Sequence, residues 1–269
     1  MKSDLGVMLP GGKTGVLLLH DVGGSAAEWR GQAQAFARAG FTVACPQLIG
    51  LGSTGASQGS AGMLVSEAEQ ALARLKSRCD SVTVVGIGYG GMLALELARH
   101  NAIAVQAVVM ADARAWLPML PFAPPAGLSG KIKQTWFAGL MAAGQSVWPA
   151  GNRPRSSPAT LQNIARLLDS VHAGLPSIRQ PVLLAQSASG LRSGVDGSCL
   201  LQRRLGGRVE SFILDYDAQP GSYPVEWNAD GLVDRSARFI ANVLEEIETR
   251  RGNELRRKQN AVGGRTNAA

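Results

Sequence analysis

The residues best placed to do chemistry sit in a single turn. Ser81–His100 reads SVTVVGIGYGGMLALELARH, a β-branched run, a glycine cluster and then a stretch of helix formers. In the pattern G-x-S-x-G, a strand–turn–helix of this kind raises a serine hydroxyl on a strained turn, where it can attack an acyl carbon. The five residues here are Gly86, Ile87, Gly88, Tyr89 and Gly90. The centre of the pattern is glycine, which has no side-chain atom to activate. Nucleophilic chemistry at this turn therefore lacks its attacking group.

A serine nucleophile also needs a general base. The chain has three histidines, His20, His100 and His172, and none follows the last strand expected over Val209–Leu214. His20 closes the run GVLLLH and is expected to support the loop after that strand. His100 ends a helix, where a donor or cation suits the last carbonyls. His172 lies late in a helix expected over Ala159–Ala173, as a packing or surface residue. The three cysteines, Cys45, Cys79 and Cys199, fit neither a disulfide framework nor a metal spacing. No metal or cofactor is expected.

The surroundings of the turn carry a resemblance. Gly15–His20 followed by Asp21-Val22-Gly23-Gly24 resembles a strand and its H-G-x-x-G loop, with Asp21 in place of the first glycine. Phe41–Ser53 (FTVACPQLIGLGS) resembles a strand ending in P-x-L-x-G-H-G-x, with Leu51 in the histidine slot. Ala26–Gly40 and Ala71–Gly91 resemble the helix after the first loop and the approach to the turn. Pro181–Ser187 (PVLLAQS) is similar to a strand that carries a catalytic acid at its end. From about Gly15 to Glu248 the chain is similar to the bacterial carboxylesterase and monoacylglycerol-lipase branch of the α/β-hydrolases.

That resemblance implies site residues position by position. Gly88 stands at the nucleophile, Gly190 nearest the acid and Pro224 at the histidine, so all three triad positions are expected to be lost. The backbone N–H groups of Val22 and Tyr89 resemble the oxyanion-hole donors, with Asp21 placing a carboxylate near a site built for negative charge. A lid is expected over about 113–158, where prolines cluster with Trp116, Trp136 and Trp148. His20, Asp21, Ile87, Met92, Trp116 and Trp136 are the pocket candidates, and Gly88 is expected to leave open space beside them.

The elements around the turn alternate. Short, nearly continuous apolar runs at Val16–Leu19, Val82–Val85, Val105–Met110 and Val182–Ala185 suit strands buried on both faces, with helix-length segments between them. The expected fold is α/β, a mostly parallel doubly wound sheet of the α/β-hydrolase type with an inserted lid. One domain spans 1–249, and 250–269 is expected as a disordered basic tail. That tail holds six basic residues against Glu254, a net +5, which leaves +2 of the total +7 on the remainder. It has no aromatic residue to stack on bases, so nucleic acid is not the expected partner. No apolar run approaches the roughly 18 residues of a membrane span, and the N-terminus shows no signal core, so a cytoplasmic protein is expected.

The expected function is that of a catalytically degenerate carboxylesterase-like hydrolase, a pseudoenzyme binding a small apolar or acyl ligand or a protein partner. One alternative is an active hydrolase or lyase with a non-standard site around His20, Asp21 and Tyr89. Another is dinucleotide binding, because Gly86-x-Gly88-x-x-Gly91 spells G-x-G-x-x-G and Asp112 follows near the place of a ribose-binding acid.

Overall fold

The computed structural model describes residues 6–21, 24–48, 61–115, 158–187, 197–214 and 229–266. The strands are β1 (Val7–Leu9), β2 (Thr14–Leu19), β3 (Thr42–Cys45), β4 (Ser81–Ile87), β5 (Val105–Ala111), β6 (Val182–Ser187) and β7 (Val209–Leu214). The helices are α1 (Arg30–Arg38), α2 (Ala61–Lys76), α3 (Tyr89–His100), α4 (Pro158–Gly174), α5 (197–204) and α6 (Ala229–Thr266). They build one seven-stranded sheet in the order β1-β3-β2-β4-β5-β6-β7. Only β1 runs antiparallel to its neighbour; the remaining pairs are parallel.

The short apolar runs explain the layering. Side chains alternate across a strand, and both faces of the central strands are buried. Leu17, Leu19, Val82, Val84, Val108, Met110 and Leu184 face one core, with residues of α2, α3, α4 and α5. Val16, Leu18, Val85, Val109, Leu183 and Ala185 face the other, under α1 and α6. Because parallel strands all point one way, β2, β4, β5 and β6 deliver their C-terminal ends side by side. His20, Gly88, Asp112 and Ser187 are the residues at or just beyond those four ends.

Three details differ from expectation. The N-terminal residues form the edge strand β1, a pairing that the local sequence MKSDLGVMLPGG does not announce. The segment expected as one helix over Ala26–Ala39 begins as a 3-10 turn, Ala26–Trp29, and becomes α-helical only at Arg30. The segment expected to be a disordered tail is helical as far as Thr266, as a continuation of α6. Charge spacing accounts for this: Glu246, Arg250, Glu254 and Lys258 fall four residues apart on one helix face, and Arg250 pairs with Glu246 at 3.6 Å. Most of the 113–158 segment lies outside the described residues.

Two glycines let α3 approach the sheet closely. A Cβ on Gly86 would lie 2.2 Å from the Gly90 carbonyl oxygen, and one on Gly90 would lie 2.4 Å from that of Leu19. Gly231, in α6, has nothing within 4 Å of such a Cβ. Gly90→Ala is therefore expected to lower stability by about 2 kcal/mol or more, because the clash is with backbone. Gly231→Ala is expected to raise it by up to about 1 kcal/mol. Denaturant midpoints of the two variants against the parent check both signs.

Candidate functional site

The turn between β4 and α3 sits near the middle of the sheet. Gly88 has φ 54° and ψ −119°, a left-handed conformation that side-chain-bearing residues adopt only under strain. The turn is tied to the chain leaving β5. The Gly88 N–H donates to the Ala111 carbonyl at 2.9 Å, and the Arg114 N–H donates to the Gly88 carbonyl at 3.3 Å. The turn thus holds at its apex a conformation that glycine adopts without strain and a side-chain-bearing residue would not.

The space above Gly88 is filled from another element. A Cβ on Gly88 would lie 2.4 Å from both Cγ and Oδ2 of Asp21 and 2.6 Å from Oδ1. Asp21, 4% exposed, accepts a 2.8 Å hydrogen bond at Oδ1 from the Tyr89 N–H. The Arg114 Nε lies 3.9 Å from Oδ2, too long for a hydrogen bond but close enough for attraction. Helix α3 has no acid in its first turn and a glycine at its N-cap. The Asp21 carboxylate supplies that cap from the end of β2, where the helix dipole favours an anion. The expectation of open space at Gly88 is overturned, because the carboxylate takes the volume that the missing side chain vacates.

His20, on the same strand end, is 1% exposed. Its Nε2 accepts from the Leu48 N–H at 3.0 Å, so the ring proton is on Nδ1, which donates to the Asp21 carbonyl at 2.9 Å. Burial pushes the imidazole pKa below its ordinary value, against the hydrogen bond and the charge of Asp21. With both nitrogens engaged, His20 has none left to take a proton from a nucleophile. Its geometry is that of a brace joining the loop after β3 to the backbone of Asp21.

The other candidates separate. Ile87 lies in the core under α1 and α6, whereas Tyr89 and Met92 lie in the opposite core. These side chains are buried in cores on opposite faces of the sheet. Burial raises the Tyr89 phenol pKa, with the nearby Asp21 charge adding to it. Val22, Trp116, Trp136, Gly190 and Pro224 lie outside the described residues. Among the described residues, no cluster of three metal-ligating side chains is present.

Two residues were missed or misread from sequence. Asp112, considered only as a ribose-binding acid, is the one described non-glycine residue with positive φ, 44°. It accepts from the Ser187 N–H at 2.7 Å, and the Ser187 hydroxyl lies 2.9 and 2.8 Å from its two oxygens. Burial pushes its carboxyl above the ordinary range, opposed by the Ser187 hydrogen bonds and the Arg114 charge and reinforced by Asp21. Arg114 was not singled out at all; a cation three residues past a strand end was the available signal. Together Asp21, Arg114, Asp112 and Ser187 make a polar seam across the ends of β2, β4, β5 and β6. An anion already occupies the head of α3, which opposes a pyrophosphate there and disfavours the dinucleotide alternative.

Two outcomes follow from this geometry. Gly88→Ser is expected to destabilise by about 2 kcal/mol or more, since its Cβ meets the carboxylate and its φ is strained. Combining it with Asp21→Gly should cost less than the sum of the single changes, with a coupling of about 0.5–3 kcal/mol; a double-mutant cycle by urea unfolding measures it. The second outcome concerns pH. Folded His20 binds a proton less readily than the unfolded chain, so its share of stability is present above about pH 6.5 and is lost as pH falls below that. His20→Gln should flatten this slope by up to about 1.4 kcal/mol per pH unit, and stability measured between pH 7.5 and 5 in both proteins isolates the difference.

Comparison with known proteins agrees with this architecture. The model of the alpha/beta hydrolase family matches residues 16–210. The thermostable monoacylglycerol lipase of Bacillus sp. (strain H-257) is 37% identical over 92 residues, a stretch covering 34% of this chain and 37% of that lipase. A structure from LipS and LipT, two metagenome-derived lipolytic enzymes, superposes with a TM-score of 0.65 at 23% identity, over 90% of this chain and 99% of the other. The monoacylglycerol lipase of Paleococcus ferrophilus does so with a TM-score of 0.59 at 15% identity, over 85% and 94%. These structures share the fold. The family match spans most of the chain, and the protein is a member of the alpha/beta hydrolase family.

Proposed function

We propose that this member of the family has given up acyl transfer and serves as a binding scaffold for a small apolar ligand. One observation carries the reading. The volume where an attacking oxygen would stand holds the Asp21 carboxylate, which already accepts the Tyr89 N–H that would otherwise face a developing oxyanion. A negative charge there opposes the charge that forms on the carbonyl oxygen of an ester under attack. The histidine inventory supports the same reading, as none follows β7. So does the assignment of Gly190 and Pro224 to the acid and histidine positions. A protein partner in place of a small ligand is the second form of the same proposal.

An active site around His20, Asp21 and Tyr89 finds no comparable support, because the ring nitrogens, carboxylate and amide concerned are bonded to one another and to Leu48. The cysteines Cys45, Cys79 and Cys199 are free thiols, and burial pushes Cys45 up to about 12. Free thiols suit the reducing cytoplasm, the compartment proposed for the protein. Among the described residues no helix is long and apolar enough to cross a membrane.

The purified protein is expected to show no acyl-enzyme burst with p-nitrophenyl acetate or butyrate and no labelling by a fluorophosphonate probe. Steady turnover that co-purifies with the protein and changes with substitutions at Asp21 would overturn the proposal.

A further inference from the structure

We infer that the Asp21 carboxylate is the tethered occupant of a carboxylate-binding seat, and that by filling it the protein bars carboxylate-headed ligands. The seat has two sides from separate elements. The Tyr89 N–H, at the start of α3, donates to Oδ1 at 2.8 Å, and the Arg114 guanidinium, beyond β5, stands 3.9 Å from Oδ2. A hydrogen-bond donor on one oxygen and a cation beside the other suit a carboxylate better than a single charge or a neutral carbonyl. The group in the seat is 4% exposed, and the seat is shaped closely enough that a Cβ on Gly88 would overlap it.

The occupant is held in place through its backbone as well. The Asp21 carbonyl accepts from His20 Nδ1 at 2.9 Å and from the Gly24 N–H at 3.1 Å. Removing the side chain therefore leaves the donor, the cation and the backbone around the seat with a vacancy of carboxylate size. A ligand that approaches the wild-type turn meets a fixed negative charge where a carboxylate head group would bind. The ligand class that the wild type accepts is accordingly neutral and without a carboxylate, and Asp21 is the residue that sets this preference. Free fatty acids and other carboxylates thereby leave the expected ligand class, and neutral acyl ligands stay within it.

The inference deepens the proposed function and rests on it for the identity of the ligand site, yet its test involves no turnover, so either can fail alone. In Asp21→Ala, sodium acetate should raise the melting temperature saturably, by about 2–3 °C at tenfold excess over its Kd. Sodium chloride at matched ionic strength should not do so. Wild type and Asp21→Asn, whose side chains fill the seat, should respond to acetate no more than to chloride, and Asp21→Ala/Arg114→Ala should need more acetate than Asp21→Ala. If Asp21→Ala is unfolded in low salt, the fraction refolded in acetate against chloride gives the same readout. Equal effects of acetate and chloride on Asp21→Ala, or an acetate shift in wild type as large as in the variant, would overturn the inference.

Discussion

One contact organises the centre of this molecule: the Asp21 carboxylate against the amide that opens α3. A buried N–H at a helix start must find an acceptor, and a buried carboxylate must find donors or charge. Each answers the other's need. The glycine at the apex allows the arrangement, because any larger residue would occupy the same volume. The end of β2, the head of α3 and the chain after β5 are all fixed by reference to this one anion.

The support behind it reaches further than the turn. Leu48 follows β3 and donates to His20; His20 in turn donates to the Asp21 backbone; Asp21 then accepts from Tyr89. This relay of fixed donors and acceptors crosses from β3 to α3 through β2, neighbouring strands and a helix of the same sheet. It is the same strand-end region that carries catalysis in acyl hydrolases, here with His20, Asp21 and the Tyr89 amide committed to holding one another. Ser187 and Asp112 continue the pattern across β5 and β6.

Much of the fold was legible in the sequence because buried parallel strands leave an unambiguous trace. Val82–Val85 and Val182–Ala185 are β-branched or aliphatic throughout, and their spacing by helix-length segments admits few topologies. Strand β1 was not legible, since three residues at a sheet edge, half-buried, carry no periodic signal. The helical run past Thr249 was misread for a different reason: a polar, charged segment reads as disordered by composition, whereas its order rests on which charges fall four apart. At the turn, the glycine was plain but its consequence was not. Sequence shows that a side chain is missing; it does not show that a residue 67 positions earlier, by the numbers Asp21 and Gly88, fills the gap. The ties of Asp112 to Ser187 and of Arg114 to Asp21 were not legible because they depend on adjacency between strands.

The interlock between Asp21 and Gly88 also has a consequence for the paths by which such a chain can change. With glycine at the apex and aspartate in the seat, both positions are settled; with a larger apex residue and a glycine in the loop, both are settled again. The two mixed states are not. One sets a side chain against a carboxylate, and the other leaves a helix-opening amide with its acceptor removed. Between the paired solutions lies a ridge of poorly folding single-step neighbours, so drift at one position is held in check by the other. A chain on either side of this ridge is kept there by folding alone.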